Sequence, residues 1–496
     1  MMALFGRDEP HVRIEEMRNT TPVSIESVSA GVLGLVGDFS EGPTGEVRYV
    51  QSWSEFTDLY GDLRTDLAGP WELAGYYNQA ASLPAYIVRV VGDGAAKASI
   101  NLADASSNDT LTIEAWGAGE WGNELSVEVS DADTTSAGFF RLKIKRTDPD
   151  TGEYTTIDYG DVTMDSTSDY YAPDVVNAYD RWVAAEEHVS SVGDPPDNTV
   201  GFSSLSGGLT GSAPDDDDYD DTDTGGGLLD AVDEVTILRY AGRESLDANN
   251  NVIARAANLE DRIAICCISD ATSPSNIADI VASLTASRYA MVVYGRGYVV
   301  NPINGGRKSI LPGGHVAGHL AARPPHYSPA YGFLKGFIGT SRNLTPGQRE
   351  TLTENAVSAL VKEKAKVGNR KMNVFKLNNG LNLATQAGWS QISKIRKAMQ
   401  LIESLDEGLQ GFRSAPNTAD YRSNLAAAIE SLLAPEKRDG AIIDYLIDVS
   451  DELNPPTLQA QRIVRARVAI DYVDPGDYIW IQVDHNWNTG DTKVST

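Results

Sequence analysis

From residue 228 to residue 294 the chain alternates strand-like and helix-like segments, and that alternation constrains the fold more than any other feature. Apolar runs over 234–240, 262–268 and 289–294 read as strands, with helical spacing around 252–260 and 275–287 between them. Strand–helix–strand units of this length favour a parallel sheet with crossover helices. The N-terminal part carries the same signature: Val23, Ile25, Val32, Leu33, Leu35 and Val36 set among glycines, helices over 54–60 and 71–81, and a strand over 85–91. The expected fold class is therefore α/β.

The pattern breaks twice. After Gly92-Asp93-Gly94, residues 97–211 show short alternating runs separated by turn residues, which predict a mostly β module with one helix near 175–185. It would be inserted into an α/β core built from residues 22–96 and 212–345. Beyond Pro346 the reading is an α+β domain, 346–461, with helices to about residue 366 and over 389–405 and 418–433, and strands over 373–377 and 441–448. Residues 462–496 close the chain with two alternating runs, 463–472 and 478–483. Residues 1–21 are polar, without apolar periodicity, and read as an N-terminal arm. A chain of 496 residues exceeds what one core serves, so several domains are expected.

Charge narrows the partners. The formal net charge is -29, and the first 345 residues hold 51 Asp and Glu against 23 Lys and Arg. Such a surface repels nucleic acid and anionic lipid, so no nucleic acid contact is expected. No run of about 18 apolar residues occurs, which argues against membrane insertion, and the charged start MMALFGRDEPHVRIEE argues for synthesis in the cytoplasm. The acid-rich balance also fits a saline habitat. From Ile280 to Arg349 there is no Asp or Glu at all, so an acidic group is expected to lie against this stretch.

The search for chemistry finds no site. His315 and His319 are four apart, as in zinc proteases, yet Val316 stands where the general-base Glu would be. Residues 304–309, NGGRKS, lack the spacing of a phosphate loop and read as a turn. Cys266 and Cys267, adjacent in an apolar run, read as small buried hydrophobes. The run 215–223, with seven Asp in nine residues, lacks the ligand alternation of a calcium loop and reads as a solvated linker. No Gly-x-Ser-x-Gly elbow exists, and none of the six histidines falls in a motif that would pair it with a serine. No catalytic residue, cofactor or metal is assigned.

Five segments in order carry a family resemblance: GVLGLVGDFSEGPTGEVRYVQSWSEFTDLYG at 31–61, WGAGEWGN at 116–123, LSGGLTG at 205–211, the stretch 311–359 with LPGGHVAGHL and NLTPGQ, and the closing strands at 462–483. Together they resemble the sheath subunit of contractile phage tails and related injection machines. The resemblance implies a multidomain α/β protein whose core is described as subtilisin-like in topology, with extended N- and C-terminal arms. It implies a non-enzymatic subunit of the virion tail, assembled in the host cytoplasm. Its partners would be itself, as a helical polymer of stacked rings, an inner tail tube protein, and baseplate and tail terminator proteins. It also implies that the arms add strands to neighbouring subunits, which places Val12, Ile14, Val464, Val468, Ile470, Ile479, Ile481 and Val483 at the exchange. On the helix 389–405 the apolar stripe is Trp389, Ile392, Ile395, Met399, Ile402 and Leu405. Lys394, Arg396 and Lys397 fall off it, as a solvated face or, by the resemblance, as a contact to the tube. A baseplate component is the alternative reading, and a serine hydrolase a distant one.

Overall fold

The computed structural model describes residues 25–148, 151–179, 181–188, 192–367 and 370–476. They fall into two bodies: one formed by residues 29–400 with the segment from Asp474, the other by the residues up to Val28 and Leu401–Val473.

In the first body, β1 (Leu33–Gly37), β2 (Val47–Val50), α1 (Trp53–Tyr60), α2 (Gly69–Gln79) and β3 (Ala85–Arg89) follow in order. Local chemistry sets their limits: the Ser52 hydroxyl accepts from the Glu55 N–H at the start of α1, and Gly61, at φ 81°, ends it. The chain then builds a β-rich module: β4 (Ser99–Ala103), β5 (Asp109–Ala115), β6 (Leu125–Asp131), β7 (Phe139–Thr147), β8 (Tyr154–Thr163), α3 (Ala172–Tyr179), β9 (Val183–Glu187) and the short β10 (Ser203–Ser204). Its strands form two sheets, ordered β4-β5-β9 and β10-β6-β7-β8. Between them lies a core of their own, with Leu111, Ile113, Val127, Leu142, Ile144 and Trp182 buried. The helix expected over 175–185 stops at Tyr179, because the next residues pair as β9 with β5.

The α/β succession resumes with α4 (Asp216–Asp220), β11 (Ile237–Tyr240), α5 (Leu246–Leu259), β12 (Ile263–Ile268), α6 (Ile277–Ala282) and β13 (Ala290–Tyr294). A small antiparallel sheet, β14 (Gly297–Val300), β15 (Arg307–Ile310) and β16 (Phe337–Thr340), brackets α7 (Gly313–Ala321). Next come α8 (Pro346–Glu354), β17 (Val357–Val367) and β18 (Arg370–Leu377). The helix expected beyond Pro346 begins there: Thr345 caps it and Pro346 opens the first turn, and the structure adds Gln348 reaching back to the cap.

Its expected end at residue 366 is not. The chain turns at Ala356, φ 57°, and β17 runs alongside β13 in parallel. In 357–367, VSALVKEKAKV, the i,i+4 charges imitate a helix, but Val361 is buried and Lys362, Lys364 and Lys366 exposed, which is the period of a strand. The large sheet therefore has eight strands in the order β18-β17-β13-β12-β11-β1-β3-β2. Its six inner strands are parallel, and an antiparallel strand closes each edge. Strands β1, β11, β12 and β13 are buried along their whole length, as expected where both sheet faces are covered. This body extends to residue 400, whereas the sequence reading ended the core at 345, because β17 and β18 complete its sheet.

The boundary between the bodies falls inside α9 (Ile392–Leu409). The second body continues with α10 (Ala419–Arg438), β19 (Ile442–Asp448), α11 (Pro456–Ala460) and β20 (Arg467–Tyr472). Leu401, Leu425, Ala428, Ile429, Leu432, Leu433 and Ile442 form its core, and Ile25 inserts among them. The Ile25 N–H donates to Ser431 Oγ at 3.1 Å and the Val28 N–H to Ser404 Oγ at 3.0 Å. Gly408 makes room, since a Cβ there would lie 2.4 Å from Ile25 Cγ2. Residues 25–28, which the sequence reading assigned to the α/β core, thus belong to the C-terminal body.

Candidate functional site

The stretch without acid packs on a buried acid. Glu72 of α2 and Arg239 of β11 are each 1% exposed and form a two-pronged ion pair, Nε to Oε2 and Nη2 to Oε1, both at 2.8 Å. The Gly242 N–H adds a bond to Glu72 at 2.7 Å, and Arg239 Nη1 donates to the carbonyls of Arg243 and Ile265. A buried pair persists only when its remaining lone pairs and protons are satisfied in this way. Helix α7 closes the site. A Cβ on Gly313 would fall 2.4 Å from Arg239 Nε, and one on Gly314 only 1.8 Å from the backbone oxygen of Glu72. Gly318 is equally close to α2, 2.4 Å from the Tyr76 oxygen, and Gly75 of α2 makes room for His315. The small-residue pattern of LPGGHVAGHL is therefore a backbone-to-backbone helix contact.

The two histidines sit inside that contact. His315 stacks on Phe337, ring centroids 4.2 Å apart, and neither of its nitrogens finds a hydrogen-bond partner among the described residues. His319 Nε2 lies 3.1 Å from the carbonyls of Pro329 and Tyr331, and the Arg323 guanidinium meets its Nδ1. Burial holds both below the ordinary imidazole range, at about 3 for His315 and about 4 for His319. Among the described residues no group of three or more His, Cys, Asp or Glu could hold a metal. Because the unfolded chain takes up these protons near pH 6.5 and the folded one only near 3 to 4, this part of stability is full above pH 6.5 and falls as pH drops. We expect His315→Asn to lose less melting temperature than the parent between pH 7 and pH 4. An equal loss would show that His315 does not couple folding to pH.

The cysteines are inert by the same cause: both are fully buried, and burial pushes the Cys267 thiol up to about 12. The acidic run 215–223 is solvated, with Asp215, Asp217, Asp221 and Asp223 exposed, but it folds as α4 and a following turn rather than as a linker. Asp215 caps α4, Asp220 binds Arg255 and the Tyr240 hydroxyl, and Asp221 accepts from Asp223 and Thr224.

Three of the resemblance segments meet at the joint between core and module. Arg89, buried at the end of β3, donates to the carbonyls of Phe39 and Gly42 on one side and Ala118 on the other. Trp116 Nε1 donates to Glu46 at 2.5 Å, and Asn123 exchanges two 2.9 Å bonds with the Gly208 backbone. The spacing of these segments therefore reflects a joint.

The structure corrects the reading of the basic side chains on α9. Arg396 and Lys397 are each only 3% exposed. Arg396 Nη2 donates to the carbonyls of Ala30 and Leu320 at 2.9 and 2.8 Å, Lys397 Nζ to Gln400, and Lys394 pairs with Asp474 at 2.6 Å. They form no exposed basic face, and the apolar stripe also departs from the expected one, with Leu401 1% and Ile402 65% exposed. Sequence spacing alone could not show this: the acceptors for Arg396 lie hundreds of residues away or in another helix.

Of the residues assigned to strand exchange, Val464, Val468 and Ile470 pack with Tyr445, Ile447 and Tyr472 against the C-terminal core. Val12, Ile14, Ile479, Ile481 and Val483 lie outside the described residues. Strands β19 and β20 pair only with each other among the described residues, and no other described strand lies on either outer edge of this sheet. Its other face exposes Ile443 and Leu446.

No family model matches the sequence, and no curated protein resembles it closely enough to count. Solved structures do. The sheath tail protein Lin1278 of Listeria innocua superposes with a TM-score of 0.60 at 13% identity, covering 91% of this chain and 94% of that one. The sheath of the extracellular contractile injection system PVC, in its contracted state, gives 0.58 at 12% identity over 97% and 98%. A chain of the anti-feeding prophage baseplate gives 0.53 at 14% identity over 97% and 99%. The chain has the fold of these contractile-system proteins over most of its length.

Proposed function

We propose that this chain is the subunit of a contractile tail sheath, in which many copies polymerise as stacked rings around an inner tube. On triggering at a baseplate they shift to a shorter, wider packing and drive the tube through a target envelope. The observation that carries the reading is the near-complete coverage, in both directions, by sheath subunits. In a virus the same motion would deliver the genome. Work comes from two packings of one subunit that differ in free energy, multiplied over the copies, so the role is structural and needs no nucleotide. In this reading the eight-stranded sheet is the subtilisin-like core, the module 97–211 is its outer elaboration, and assembly takes place in the producing cell's cytoplasm.

The arms keep the polymer connected. Residues 1–21, with Val12 and Ile14, and the tail bearing Ile479, Ile481 and Val483 would donate strands to the outer edges of β19 and β20 in neighbouring copies. Val464, Val468 and Ile470 would then hold the receiving sheet on its own core. The contact with the tube is not assigned to Lys394, Arg396 and Lys397. We expect the full chain to sediment as long polymers, and chains lacking residues 1–21 or everything after Asp474 to stay soluble, folded and unpolymerised. Normal polymers from either truncation would exclude strand donation by that arm. The baseplate alternative, favoured by the likeness to a baseplate chain, predicts instead a small closed ring from the full chain.

A further inference from the structure

The sheet β15-β14-β16 has two faces of opposite character. Val299, Ile310 and Phe337 point inward and are buried. On the other face Val300 is 56% exposed, and a break in register between β14 and β16 turns Ile338 outward at 50%. Ile303, in the hairpin turn, is 53% exposed. Arg307, paired with Val300, lays its guanidinium over the Tyr298 ring at 4.5 Å and has no carboxylate partner among the described residues. The surrounding segment 280–349 holds eight Lys and Arg and no Asp or Glu. Arg296 and Arg349 answer Glu244 and Glu363, and Lys308 reaches the Thr65 carbonyl, but Arg307 and Lys335 stay exposed and unanswered among the described residues.

We propose that this apolar, cationic sheet face docks on an acidic surface of a second copy of the chain. The inference rests on the sheath reading and assigns one of its subunit contacts. Copies that each carry a net charge of -29 repel one another, so a stable polymer of them needs contacts where unlike charges meet. Acid is present on every copy: the module 97–211 alone holds 21 Asp and Glu against six Lys and Arg. The exposed apolar side chains supply burial and Arg307 supplies orientation, the combination found at the centre of protein interfaces.

Two measurements test the contact. First, the parent and the double variant Arg307→Glu/Ile338→Asp are compared by sedimentation over a concentration series, with circular dichroism and melting as folding controls. Both positions are exposed, so folding is expected to be unchanged while the concentration needed for polymer rises at least about tenfold. Polymer from both at the same concentration overturns this inference and leaves the sheath reading standing; a parent that never polymerises overturns both. Second, polymer of the Arg307→Lys variant is treated with a carbodiimide, which joins an amine to a touching carboxylate. An amide from position 307 to an Asp or Glu of another copy is expected. Its absence, with other inter-copy links present, overturns the contact.

Discussion

Replacing Glu72 with Leu, or Arg239 with Met, is expected to remove about 3–5 kcal/mol of stability, read as a lower midpoint in urea unfolding. The magnitude follows from what is left behind. Each partner is 1% exposed, so the survivor is a charge held away from water with nothing opposite it. Burying an isolated charge costs more than the pair contributes, which is why the double replacement should be milder than either single one. Recovery should still be incomplete, because the Gly242 N–H and the carbonyls of Arg243 and Ile265 would lose their bonds to the pair. Single variants within about 1 kcal/mol of the parent would show that the pair does not organise the contact between α2, β11 and α7.

The second large effect is expected from a single methyl group. In an open helical position Gly→Ala stabilises by up to about 1 kcal/mol, and Gly347 in α8, where a Cβ would meet no atom within 4 Å, should behave so. Gly314→Ala should do the opposite, by at least about 3 kcal/mol, since its Cβ would fall 1.8 Å from the Glu72 backbone oxygen. A flexible side chain could move aside; a helix backbone can yield only if α7 lifts from α2 and opens the ion pair beneath it. We expect Gly347→Ala to melt at or above the parent temperature and Gly314→Ala to melt far below it or to accumulate as insoluble protein. Equal melting of the two would refute the close helix contact.

Much of the fold is legible in sequence because the central strands are apolar on both faces and α8 carries its cap at Thr345, whereas the cap Ser245, which starts α5 six residues before the expected 252, is a signal the sequence reading misses. The failures share a cause. In 357–367 lysines that could lie on a helix surface, Lys362, Lys364 and Lys366, form the exposed side of a strand, since only the partner β13 decides which period is used. On α9 helical spacing gives the basic residues a face but not its neighbours, so their burial stays hidden until the fold is known. The ion pair itself leaves a signal that helical and strand periodicity pass over: Glu72 and Arg239 are single charges inside otherwise apolar runs, PWELAGYY and TILRYA, where an unanswered charge would be prohibitive. The acid-free stretch 280–349 packs on Glu72 through Gly313 and Gly314, but Arg239, outside the stretch, is what answers that charge.

Electron microscopy of the purified, full-length chain at rising concentration tests the central claim most directly. The account predicts long hollow tubes with a regular axial repeat, in which helical reconstruction shows β19 and β20 extended by strands from neighbouring copies. A population of monomers, or of single closed rings that never stack, would contradict it.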